Sequence, residues 1–142
     1  LKFGKIFKIS NKVFNYNNKL TAEKKIISEI KNKKIKLICL AGFMKILSKS
    51  FIKNYKGKIL NIHPSLLPKY KGLNTHQRAI TNSEKYSGCT VHFVSSRLDS
   101  GKIILQKKVK ISNGDTAKSL AKKILIQEHK LYPKAIRQVF NL

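Results

Sequence analysis

Acidic side chains are scarce in this chain of 142 residues: six Asp and Glu stand against 31 Lys and Arg, a formal net charge of +25. Tryptophan is absent, and cysteine occurs only at Cys39 and Cys89. The two lie far apart, with no second thiol or histidine at ligand spacing, which argues against a disulfide framework or a zinc site. His63, His76, His92 and His129 are scattered, so metal-free chemistry is expected. No apolar run approaches the roughly 18 to 20 residues of a membrane span, and the N-terminus lacks the apolar core of a secretory signal. A cytoplasmic chain without a membrane partner is expected.

Arginine is scarce as well, found only at Arg78, Arg97 and Arg137. Readers of base edges depend on its bidentate fork, and the lysines here are spread along the whole chain rather than gathered in a patch. A solvated lysine surface with no nucleic-acid partner is therefore the preferred reading, and a basic RNA-binding module is the alternative of a different class. The positive field would still draw in small anionic substrates.

What is present is enough apolar material, 42% of residues, for one domain over residues 1–142 with a real core. Residues 1–10 alternate weakly, with Phe3, Ile6, Phe7 and Ile9, and are expected as a strand before a polar loop. Thr21 is a plausible cap for a helix over 22–33, whose Ile26, Ile27 and Ile30 share one face. The apolar run over 35–41 predicts a parallel strand covered on both faces. Ser48 caps a short helix, Gly57 ends it, and 59–62 is the next strand. A loop over 64–72, a helix opened by Thr75, strands over 89–94 and 102–111, and a long helix capped by Asp115 and interrupted near Pro133 complete the pattern. Helix and strand alternate as in βαβ units, which predicts an α/β fold: an open, mostly parallel twisted sheet with helices on both faces.

Asn61 and His63 fall at a strand's carboxyl end, where open α/β sheets place ligands. If Asp99 joins them, the Asn61 amide and a protonated His63 can hold an oxyanion on an attacked carbonyl, while Asp99 supports His63 and moves protons. That is machinery for acyl or formyl transfer to a nucleophile supplied by the substrate. Residue types alone favour a plainer reading, in which Asn61 and His63 shape the turn before Pro64 and Asp99 fixes the turn into Gly101. His92 reads as a packed core histidine, His76 as a helix-start histidine, and Gly42-Phe43-Met44 equally as cofactor wall or ordinary loop.

Five segments taken in order shift that balance: Leu40 to Leu47, Asn61 to His76, Gly88 to Val94, Leu98 to Gln106, and Gln127 to Pro133. Together they resemble phosphoribosylglycinamide formyltransferase, from about Lys36 to the C-terminus. The resemblance implies a Rossmann-like formyltransferase fold, 10-formyltetrahydrofolate as cosubstrate without a metal, and glycinamide ribonucleotide as formyl acceptor in purine synthesis. It implies Asn61, His63 and Asp99 as catalytic residues. It further implies Met44, Lys45, Ile46, Leu47, Val94 and Asp99 at the folate, and Gly42, Pro64 and Glu128 at the nucleotide. Lys45 stands where the family commonly has arginine, which keeps the charge and loses the fork. Asn74 replaces a histidine common there, while His76 is kept. Formyltetrahydrofolate deformylase and methionyl-tRNA formyltransferase share the Asn-x-His and Asp arrangement and are the nearer alternatives.

The family opens on a strand and a glycine-rich loop that cradles the ribonucleotide phosphate at a helix start. Before Gly42 no two glycines lie close together, and the chain begins at Leu1 rather than Met. The expectation is a domain whose first strands and phosphate loop are missing.

Overall fold

The computed structural model describes residues 2–141. A short helix α1 (Lys2–Ile6) and an irregular stretch lead into α2 (Lys19–Asn32). There follow β1 (Leu37–Leu40), α3 (Lys49–Asn54), β2 (Lys58–His63), α4 (Thr75–Thr81), β3 (Tyr86–Phe93), β4 (Ile103–Lys110) and α5 (Ala117–Phe140). Among the described residues no helix is long and apolar enough to cross a membrane.

The four strands form one sheet in the order β1-β2-β3-β4. β1 and β2 run parallel, joined by the crossover through α3, whereas β3 is antiparallel to both β2 and β4. The sheet is thus mixed rather than mostly parallel. The antiparallel β3/β4 pair follows from its connection, a short link with no helix that only an antiparallel pair can close.

Strand alternation divides the core between the two faces. On one face Ile38, Leu40 and Ile59 pack with Ile30 of α2, Phe51 of α3, Leu47 and Tyr55. On the other, Ile62, Cys89 and Val91 pack with Leu120, Ile124, Leu131 and Ala135 of α5 and with Ala79 of α4. Helices therefore cover both faces at β2 and β3, but β1, expected to be covered on both, leaves Cys39 exposed because α5 packs over β3 and β4 instead.

Several local expectations are revised. The strand expected over 1–10 is helix α1 followed by irregular chain; Leu1 lies outside the described residues. Phe3, Ile6, Phe7 and Ile9 stay exposed there, so no sheet neighbour rewards their alternation. The cap of α2 is Asn18, whose side chain accepts the Thr21 N–H, and the helix begins a turn earlier than its apolar face suggests. The cap of α5 is Thr116, locked reciprocally with Ser119 in a capping box. Asp115 instead accepts from the Ser112 N–H, the Ser119 hydroxyl and the Lys123 ammonium. Finally, α5 runs through Pro133 without a break. Leu131 and Ala135 on either side are buried, and Tyr132 shares its hydroxyl proton between the Leu40 and Leu60 carbonyls, so tertiary contact outweighs the one backbone bond that proline removes.

Candidate active site

The β2/β3 pairing sets Asn61 opposite His92 and His63 opposite Thr90. Residues directly opposite point to the same face, so the four side chains form a polar stripe on an otherwise apolar sheet surface. An irregular step in the β3/β4 register falls at Val91/His92, beside the stripe. Asp99 arrives from the β3–β4 connection in a left-handed backbone conformation, φ 44°. Two residues later a side chain on Gly101 would collide with the Phe93 carbonyl oxygen, so glycine is required for the connection to return this close to β3.

Asp99 Oδ2 lies 3.4 Å from His63 Nδ1, and its Oδ1 lies 3.7 Å from His92 Nε2. The Gly72 N–H donates to Oδ2 at 2.9 Å. The other nitrogen of His63, Nε2, lies 2.9 Å from the Tyr70 carbonyl oxygen. A carbonyl only accepts, so Nε2 carries a hydrogen and Nδ1 is the nitrogen turned to the carboxylate. His92 is held the other way round. Its Nδ1 donates to the Phe93 carbonyl at 2.8 Å, which leaves Nε2 to accept from the Asn61 amide at 3.4 Å. Burial pushes the His92 pKa below its ordinary value, only partly countered by the Phe93 carbonyl and the Asp99 charge, so the ring is neutral near pH 7.

The stripe opens onto a cleft of about 470 Å3, counting its open mouth, between the β1–α3 loop and the β3–β4 connection. Leu40, Phe43, Leu47 and Val94 supply apolar walls, and Asn61, His92 and Asp99 the polar end. Lys45, Ile46, Leu47, Val94 and Asp99, all expected at the folate, line it; Met44 does not, being 72% exposed and turned to solvent. His63 is buried behind Asp99 rather than in the cleft wall. Pro64 follows His63 at the end of β2. Glu128, on α5, is half-buried, and burial raises its pKa while the nearby His129 and His63 charges pull it down. Gly42 sits at φ 62° in the loop after β1, with open space where a side chain would be, and is not part of the cleft.

Residue types did not reveal His92 as a site residue, because its register opposite Asn61 exists only once the strands pair. The same holds for the Tyr70 carbonyl and Gly72 N–H, since backbone groups carry no sequence signal. Below the site, Thr90 donates to the Ser65 carbonyl at 2.6 Å, and Gln106 donates to the Leu67 carbonyl and to Thr90 Oγ1, each at 2.8 Å. These bonds tie the start of the 64–72 loop to the sheet. Among the described residues no group of three or more His, Cys, Asp or Glu is placed to hold a metal ion.

Residues 5–136 match the family described as formyl transferase. The phosphoribosylglycinamide formyltransferase of Escherichia coli is 43% identical over 121 residues, which is 85% of this chain and 57% of that protein. The human trifunctional purine biosynthetic protein adenosine-3 is 44% identical over 124 residues, covering 87% of this chain and 12% of that protein. The crystal structure of phosphoribosylglycinamide formyltransferase from Brucella melitensis superposes with a TM-score of 0.90 at 43% identity, over 97% of this chain and 72% of that one. The chain thus spans little more than half of its bacterial relative and a small part of the human protein. With the family match running nearly from end to end and the sheet superposing on that of a solved relative, this chain belongs to the formyl transferase family.

Proposed function

We propose that residues 1–142 form a single formyltransferase domain that moves a formyl group from 10-formyltetrahydrofolate to the amine of glycinamide ribonucleotide. The observation that supports the reading is that Asn61 and Asp99 line one end of the cleft while His63 lies against Asp99 from behind. The relatives named phosphoribosylglycinamide formyltransferase support the acceptor, and the folate donor is the one that the resemblance of the sequence implies. In this reading the substrate amine attacks the formyl carbon and a new C–N bond forms. The Asn61 amide donates to the formyl oxygen as negative charge grows on it, while His63 stands behind Asp99 and holds the carboxylate that handles the proton. Asp99 passes the proton lost by the amine to the folate nitrogen as its C–N bond breaks, so no proton is consumed overall. The apolar walls from Phe43, Leu47 and Val94 suit a flat pterin ring and keep water from the formyl carbon. Lys45 at the rim suits an anionic tail, Glu128 the ribonucleotide side.

The test is formyl release from 10-formyltetrahydrofolate by the purified chain, with and without glycinamide ribonucleotide. Release that requires the nucleotide is the expected outcome. Release without it would assign the chain to hydrolysis, and the absence of both release and folate binding would remove the proposal.

A further inference from the structure

Between β2 and α4 the chain crosses the site on a segment held by side chains rather than by its own backbone: the Tyr70 hydroxyl donates to Glu84 and accepts from the Asn82 amide, and the Lys71 ammonium donates to the Ser100 hydroxyl. Residues 70–73 make no backbone–backbone hydrogen bond among the described residues, and Tyr70, Gly72 and Asn74 all have left-handed backbones. Yet two backbone groups of this segment reach the candidate catalytic side chains: the Tyr70 carbonyl accepts from His63 Nε2 and the Gly72 N–H donates to Asp99 Oδ2, each at 2.9 Å. Arg78 turns back from α4 over the segment. Its Nη1 donates to the Lys71 carbonyl at 2.7 Å and to the Leu73 carbonyl at 3.3 Å, one residue to either side of Gly72. Its guanidinium carbon also lies 5.0 Å from the centre of the Tyr70 ring.

We propose that Arg78 is a positioning residue, which clamps the 70–73 segment so that Tyr70 and Gly72 hold the His63 and Asp99 side chains in register. The work suits a guanidinium and not an ammonium. A flat, delocalised cation stacks on the ring while a donor at its edge spans two carbonyls, whereas lysine offers a strongly hydrated point charge. It is consistent that arginine stands here in a chain whose cations are otherwise almost all lysine. Gly72 is the point of control, because its N–H is the segment's hydrogen bond to the Asp99 carboxylate.

The activity readout of this inference rests on the formyl-transfer reading; the spectroscopic readout does not. The experiment compares the wild-type chain with Arg78→Gln, Arg78→Lys and, as a control for charge, Lys118→Gln on the exposed start of α5. The nitrogen shifts of the His63 ring and the amide shift of Gly72 are read by NMR, beside kcat, KM and the pH profile of formyl transfer. In Arg78→Gln the His63 Nε2 and Gly72 signals are expected to move toward unbonded values. Its kcat should fall roughly tenfold with a displaced pH profile, and KM for the formyl donor should stay within about twofold. Arg78→Lys should recover part of both effects and Lys118→Gln should show neither. Wild-type His63 and Gly72 signals in Arg78→Gln would overturn the inference, as would equal effects from Lys118→Gln. A wild-type chain without formyl transfer would defeat the functional reading alone, and the NMR comparison would still decide the role of Arg78.

Discussion

At the scale of the residue, the site brings two imidazoles and a carboxylate together, His63, His92 and Asp99, each held by different hydrogen-bond partners. Asn61 borders the cleft with a free N–H, and its substitution by alanine is expected to lower kcat by about 10²- to 10³-fold, the usual cost of losing one donor to a developing oxyanion. Asp99→Asn and His63→Ala should each lower kcat by about 10²- to 10⁴-fold, with folate binding by titration little changed. Turnover like that of the wild type in either variant would remove those roles. Protonation adds a second prediction. Burial lowers the pKa of His92 and His76, so the unfolded chain binds protons below about pH 6.5 that the folded chain resists. Stability from these two rings is therefore full above that pH and declines as pH falls toward their folded values. Thermal midpoints measured between pH 7 and 5 should show the decline, and His76→Gln should flatten part of it. On the opposite face burial pushes the Cys89 thiol up to about 12, so native protein should resist alkylation there at pH 8 while unfolded protein reacts, as read by mass spectrometry.

At the scale of the element, α5 carries the clearest energetic consequences. Leu120 and Ile124 are fully buried against Cys89 and Val91, and truncating either to alanine should cost about 2–5 kcal/mol in denaturant unfolding. Loss of the reciprocal cap in Thr116→Ala should cost about 1 kcal/mol. Pro133 is exposed within the helix, so Pro133→Ala should raise stability, by up to about 3 kcal/mol on helix propensity, without disturbing Leu131 or Ala135. The elements also show where sequence patterns are and are not legible. The 3.6-residue apolar period of α2 and α5 and the Ser48 cap of α3 could be read directly, because a helix bonds within itself and its signals are local. The apparent strand at the N-terminus could not, because alternation becomes a strand only when another strand pairs with it. The cap of α5 shifted by one residue because Asp115 and Thr116 are both capable caps, and Asp115 is occupied by the Ser112 N–H, the Ser119 hydroxyl and the Lys123 ammonium.

At the scale of the whole molecule, the net charge of +25 surrounds a cleft whose proposed occupants are anionic. Raising ionic strength from about 0.05 to 0.5 M shortens the screening distance from roughly 14 Å to 4 Å, so KM for both substrates should rise while kcat changes little. A KM independent of salt would show the lysine surface to be solvation alone.

The sequence by itself determined the class of fold, most helix positions and the three polar residues worth testing. The first two rest on local periodicity and caps; the third rests on Asn61 and His63 falling where a strand ends and, beyond that, on the ordered resemblance of five segments to a known family. Only the tertiary structure decided that the sheet is mixed, that His92 faces Asn61, that His63 stands behind Asp99, and that Met44 turns away from the cleft. Strand register and direction are relations between distant segments, and a site built from their pairing, from loop backbone and from one returning arginine acquires its geometry only when those segments meet.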